Sequence, residues 1–404
     1  MNLPVKTMPL RQLALLGFIC FGLILGVGTW RQRSRVLGTT TRKNFISSSS
    51  FSNPISASAS SPSSMLHSID KNHFIALRNV QKTFKPLPLE FYISAKQGDI
   101  GKVRELIARG AHINAQIGDG KTALIGAALS GKIAMVTELL VLHADVDKSD
   151  KYGKTALHAA AENGYSEIIA LLLTAGAKTS IFARTTNDLA TPFLKASRNG
   201  HLEAVSLLLT AGSQVDVYDV DGRSALTYAA EDGKMPLVRL LIAAGANVDY
   251  TERSNGKTPL MMASAAGHLP IVDALLSAGA TLNKTSIWDK MTCLMRACAA
   301  GHYTVAKRLI ELGSNVNAAQ AGSGQDGITA LMHAAQAENL QITQLLINSG
   351  ANVNFRSKWK HDGLTALDFA MERNAPDVEN YLIDKGGKRG EELPPMDLPA
   401  GVYE

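Results

Sequence analysis

The first 69 residues contain no aspartate or glutamate, although seven basic residues lie among them: Lys6, Arg11, Arg31, Arg33, Arg35, Arg42 and Lys43. The formal surplus of +6 in the whole chain is therefore a property of the leader: 34 of the 41 basic residues face all 35 acids in residues 70–404, a balance of −1. That balance argues against a nucleic-acid-binding body, which needs a basic stripe to neutralise phosphates. Cysteine is equally scarce. Of the three, Cys20 lies in an apolar run, while Cys293 and Cys298 fall five apart on one expected helix and face different ways, so no disulfide framework exists. No phosphate-cradling loop is present either, because Gly322-Ser323-Gly324 is not followed by Lys and Ser or Thr.

What is abundant is repetition. Asp150 to Ala177 reads DKYGKTALHAAAENGYSEIIALLLTAGA, and variants of it recur from about Leu87 onward. Thr155 can cap a short helix, and Leu157 with Ala160 and Ala161 gives it a packed face. Gly164 can then end it in the left-handed conformation, and Ile168, Ile169, Leu171, Leu172 and Leu173 make a second helix that Gly176 closes. The separating glycine recurs at Gly98, Gly131, Gly164, Gly200, Gly233, Gly267 and Gly301, with Glu338 and Asn374 in its place in the last two copies.

This period near 33 residues, with Gly-x-Thr-Ala/Pro-Leu, Ala-Ala, Gly-His, Leu-Leu and Gly-Ala in fixed order, resembles the ankyrin-repeat family. The resemblance implies an all-α solenoid of helix–turn–helix pairs with β-turn fingers, nine repeats over residues 87–386, serving as a non-catalytic protein-binding scaffold. Each pair is too short to bury its own apolar face and must lean on its neighbours. Glu338 is expected to strain or shift its turn, because Asn tolerates the left-handed region better than Glu. The stack is expected to be softest around residues 336–362.

Leu13 to Trp30 is an uncharged run of 18 residues. As a helix it reaches about 27 Å, close to a bilayer core of about 30 Å. We read residues 13–30 as an uncleaved transmembrane helix behind a short basic flank, 1–12. Cleavage near Gly28 would instead release an exported, periplasmic or secreted binder, but Arg31, Arg33 and Arg35 resist translocation. The flanking charges favour a single-pass membrane protein with its repeats on the cytoplasmic side. An organellar transit sequence ranks last. Residues 31–64, rich in Ser and Pro, read as a disordered linker. Residues 65–86 read as a capping helix ending at Pro86 and Pro88, and residues 387–404 as an extended, frayed tail.

Ten histidines and 35 acids yield no catalytic or metal constellation and no cofactor signature. His201, His268 and His302 follow the repeat phase, and the resemblance implies that His158 is a buried hydrogen-bonding residue. The expectation is a chain that is not an enzyme; a regulatory or targeting subunit of an enzyme is a further alternative. In the family, the residue just before the Ala-Ala core, the second x of Thr-x-Leu-His-x-Ala, lines a concave groove. Here that row reads Ile93, Gly126, Ala159, Lys195, Tyr228, Met262, Arg296, His333 and Phe369, richest in large side chains from the fourth copy onward. The fingers add Tyr218, Tyr250, Trp288 and Trp359. Aromatic, Met and Arg residues dominate protein interfaces, so these are the expected contacts to a protein or peptide partner.

Overall fold

A computed structural model describes residues 87–321, 327–358 and 363–394. The expected anchor, linker and capping helix, and Trp359, lie outside the described residues. Among the described residues eighteen α-helices follow one another in hairpins: α1 and α2 (Leu87–Gln97, Ile100–Ala108), α3 and α4 (Ala123–Leu129, Ile133–Val141), α5 and α6 (Ala156–Asn163, Ser166–Thr174), α7 and α8 (Pro192–Asn199, Leu202–Thr210), α9 and α10 (Ala225–Glu231, Met235–Ala243). The series continues with α11 and α12 (Pro259–Ala265, Leu269–Ser277), α13 and α14 (Cys293–Ala299, Tyr303–Glu311), α15 and α16 (Ala330–Gln336, Leu340–Asn348), and α17 and α18 (Ala366–Arg373, Pro376–Asp384). Among the described residues there is no strand, only isolated bridges such as Tyr218 with Ser224. No described helix is long and apolar enough to cross a membrane.

Each odd-numbered helix from α3 to α15 begins at a hydroxyl. Thr122, Thr155, Thr191, Ser224, Thr258, Thr292 and Thr329 each accept a bond from the backbone three residues on, which satisfies an otherwise orphaned amide. Those helices bury nearly every side chain, which is why small Ala-Ala pairs recur in them. The even-numbered helices bury one stripe, as Ile168, Ile169 and Leu172 do in α6. All of this belongs to one continuous apolar core.

Three polar devices join successive hairpins. His201, His268 and His302 each donate through Nε2 to a carbonyl of the preceding hairpin, at Glu162, Glu231 and Ala265, over 2.9–3.1 Å. Lys234 does the same to Arg198. Asx side chains before the fingers accept from the next repeat's backbone: Asn114 from Asp145, Asp216 from Asn247, Asp249 from Thr281 and Asn317 from Asn352, at 2.8–3.0 Å. Finally, the finger tips bond one to the next, through Thr186 N to the Tyr152 carbonyl and Val220 N to the Asp188 carbonyl.

Spacing is tightly held on one side of each cap and loose on the other. From Thr122 to Asp147, Ser224 to Asp249, Thr292 to Asn317 and Thr329 to Asn354 the interval is always 25 residues. From Asx to the following cap it is 8 for Asp216 to Ser224 and 12 for Asn317 to Thr329. Every insertion therefore falls in a finger.

Three sequence expectations change. Pro88 sits in the first turn of α1, where its missing amide costs nothing, so it opens a helix rather than ending one. For Glu338 the two expected outcomes narrow to strain: it takes the left-handed conformation (φ 56°) while its turn does not shift, since Asn339 N still reaches the Ala334 carbonyl at 3.1 Å. Residues 387–394 are docked: Lys388 N donates to Asn354 Oδ1 and Gly390 N to Asp368 Oδ2, both at 2.8 Å, while Thr365 Oγ1 donates to the Lys388 carbonyl. The segment so takes the place of the next repeat's opening turn.

Candidate protein-binding surface

The expected groove row sits four residues after each cap, from Ala159 after Thr155 to Phe369 after Thr365. Most of it is covered. Tyr228, Met262, Arg296 and His333 are all buried and Phe369 is only 2% exposed, so it belongs to the core rather than to an open groove. Gly126 is covered as well, by the Tyr92 ring. The expectation of an accessible row is corrected at these positions: finger carboxylates Asp219 and Asp289 fold back onto Tyr228 and Arg296, while Tyr92 of α1 covers Gly126.

The coverage is chemical as well as steric. Lys195, half-buried, donates to Asp188 Oδ2 at 2.6 Å. Burial pushes the Asp188 carboxyl upward, but the bonds from Lys195 and Thr185 outweigh it and hold it below the ordinary aspartate value. Tyr228 donates its hydroxyl to Asp219 Oδ2 at 2.5 Å; burial, then that carboxylate, raises the phenol above its usual range. Arg223 lies over the Tyr228 ring and pairs with Glu231 and Glu252. Arg296 Nη2 reaches Asp289 and Ser286 Oγ. His333 has no such partner on Nε2, and burial lowers its pKa to about 4.

A second line of residues escaped sequence reasoning. Asp150, Thr185, Asp219, Glu252, Ser286, Gln320 and Ser357 are all buried at the bases of the fingers, and each donates its backbone amide to the carbonyl that closes its own finger. Counting three residues on from Asp147, Asp216, Asp249, Asn283, Asn317 and Asn354 finds all but Thr185. His158 is fully buried, bonded to Thr155 Oγ1 and the Ala190 carbonyl, with its pKa lowered to about 4 by burial. Cys293 and Cys298 are both buried; burial pushes the Cys293 thiol up to about 12 and the Cys298 thiol higher, so neither is a nucleophile near neutrality.

Several tips carry exposed apolar side chains, as do the outer helices at Val141 and Ile383. Trp288 is 66% exposed beside exposed Ile287, and Tyr152, Leu189 and Val220 are exposed on earlier tips. Tyr218 and Tyr250, both half-buried, stack with centroids 6.2 Å apart, and Tyr250 donates its hydroxyl to the Gly222 carbonyl. The structure thus joins Tyr218 to Tyr250, and sets Trp288 next to the Asp289 that holds Arg296. It gives Met262 and Phe369 to the core.

The hairpins, caps and fingers agree with a family model described as ankyrin repeats (3 copies), which matches residues 91–183, 193–286, 252–320 and 294–391. The chain belongs to the ankyrin-repeat family. No curated protein matches it. Ankyrin repeats imply a protein–protein interaction scaffold. In these ankyrin repeats Lys195, Tyr228 and Arg296 tie the row to finger carboxylates, and Trp288 and Ile287 stand exposed on one tip.

Proposed function

We propose that this chain is a membrane-tethered, non-catalytic scaffold whose nine ankyrin repeats hold a protein partner along the finger tips from the fourth repeat onward. The tether is residues 13–30, and the repeats lie on the cytoplasmic side. Trp288 is the main anchor, with Tyr218, Tyr250 and Lys195 beside the contact. Tyr228, Met262, Arg296, His333 and Phe369 act indirectly, by fixing the fingers. The observation that carries this reading is the exposed Trp288 and Ile287 pair on one tip, since a tryptophan left in water offers nothing to the fold and much to an interface.

Partner capture on the full chain, compared with Trp288→Ala, tests the surface: equal recovery of every captured protein would sink it. Carbonate extraction of membranes and N-terminal sequencing test the tether. A mature chain beginning near Thr29 and recovered in the supernatant would replace it with an exported binder.

A further inference from the structure

Two arginines on the fingers stand apart from the others. Arg104, Arg223, Arg296, Arg308 and Arg389 each form an ion pair with a carboxylate. Arg184 and Arg253, both exposed, pair with no carboxylate among the described residues, yet both gather on one ring. Their guanidinium carbons lie 5.3 and 4.3 Å from the Tyr218 centroid. Arg184 Nη1 donates to the carbonyls of Leu189 at 3.1 Å and Tyr218 at 2.8 Å, and Arg253 Nη2 donates to Tyr218 Oη at 2.7 Å. Tyr218 in turn stacks on Tyr250. Both forks are thus held in place before anything binds, while Nε and the second amino nitrogen of each make no bond among the described residues.

None of the neighbouring described acids forms an ion pair with either arginine. Asp188 is engaged by Lys195, Asp219 by Tyr228, and Asp216 by the Asn247 amide. Asp221, on the next tip, pairs with neither arginine. Phe182 and Val220 add exposed apolar surface on the same fingers.

We propose that Arg184, Tyr218 and Arg253 form a docking point for an acidic segment of the partner protein, one with a carboxylate beside an apolar side chain. The proposal rests on the reading of the chain as a protein-binding scaffold. A planar guanidinium fork matches a carboxylate in two parallel bonds, and holding the fork in advance removes part of the ordering cost of binding. A carboxylate within a protein fits better than a polyanion, because residues 70–404 carry a net charge of −1 and offer no basic stripe for a phosphate backbone.

The test pans a phage-displayed random peptide library on the immobilised full chain. Enriched peptides should carry Asp or Glu beside an apolar residue, and their affinity should fall about tenfold in the Arg184→Gln/Arg253→Gln variant and with added salt, while circular dichroism shows the repeats still folded. The charge-preserving Arg184→Lys/Arg253→Lys variant should fall between the two, because it keeps the charge and loses the fork. Peptides with no acidic bias, or acidic peptides held equally by the Gln variant, overturn the docking point. If such peptides still depend on Trp288, the scaffold reading survives. Failure to retain any peptide or protein removes both. Preferential binding of a phosphorylated peptide or a single-stranded RNA through the two arginines assigns the cluster to phosphate and overturns the carboxylate proposal.

Discussion

Arg296 donates from one nitrogen to both carboxylate oxygens of Asp289, each at 2.9 Å, and so ties a buried row position to the finger that carries Trp288. Burial raises the Asp289 pKa, but the bond from Ser286 and the charge of Arg296 outweigh it and leave the net value below the ordinary one. Arg296→Ala should therefore cost about 2 kcal/mol in urea unfolding, less than for a fully buried pair because Asp289 is partly solvated. A double-mutant cycle with Asp289→Ala should return a coupling of about 1 kcal/mol. A coupling indistinguishable from zero would show that the finger is held by something else.

Trp288→Ala should behave in the opposite way. Its side chain lies in water, so stability should change by no more than about 0.5 kcal/mol. Partner affinity should weaken by about 2 kcal/mol or more. Unfolding curves and partner capture on the same preparation separate the two outcomes.

How much of this could be read in the sequence follows from what sets each feature. Caps such as Thr155 and turns such as Gly164 are local choices repeated at fixed spacing, so the hairpins were legible residue by residue. Exposure of the row was not. Whether Tyr228 or Arg296 meets solvent depends on a finger carboxylate seven to nine residues earlier folding back over it, and insertions change the length of that finger. Leu189 and Lys290 also gave no warning: they occupy finger positions where other repeats place glycine, such as Gly153 and Gly222, and both take positive φ. The docked segment after Gly386 was hidden because its bonds come from Asn354 and Asp368, far back in the chain.

Leu189 is held at φ 55°, a region that a bulky side chain enters at a cost. Leu189→Gly should relieve that strain and stabilise the array by about 1 kcal/mol, after allowing for glycine's greater freedom when unfolded. Thermal unfolding would register the gain; a lower melting temperature would mean that Leu189 packs in a way its exposure conceals.

His158 and His333 are buried and neutral, each with its pKa lowered by burial from 6.5 to about 4. The unfolded chain takes up protons at these sites first as pH falls, so stability should be full above about pH 6.5 and decline down to about pH 4. The loss is up to about 3 kcal/mol for each residue. Replacing His333 with leucine should flatten part of that slope; an unchanged profile would place the proton uptake elsewhere.

Ending the chain at Gly386 would remove the Lys388 and Gly390 bonds to Asn354 and Asp368. Because each repeat touches only its neighbours, amide exchange should accelerate in α17 and α18 and stay unchanged in α1 to α4. Uniform acceleration throughout would contradict nearest-neighbour stacking.

The constant interval from each cap to the following Asx residue makes the hairpins behave like links of equal pitch, with all slack collected at one outward edge. A foreign peptide spliced between Asn317 and Thr329, where the chain already carries its longest finger, would leave the spacing of every other link untouched. The same economy lets the gripping edge be rewritten one tip at a time while the spine that carries it stays as it is.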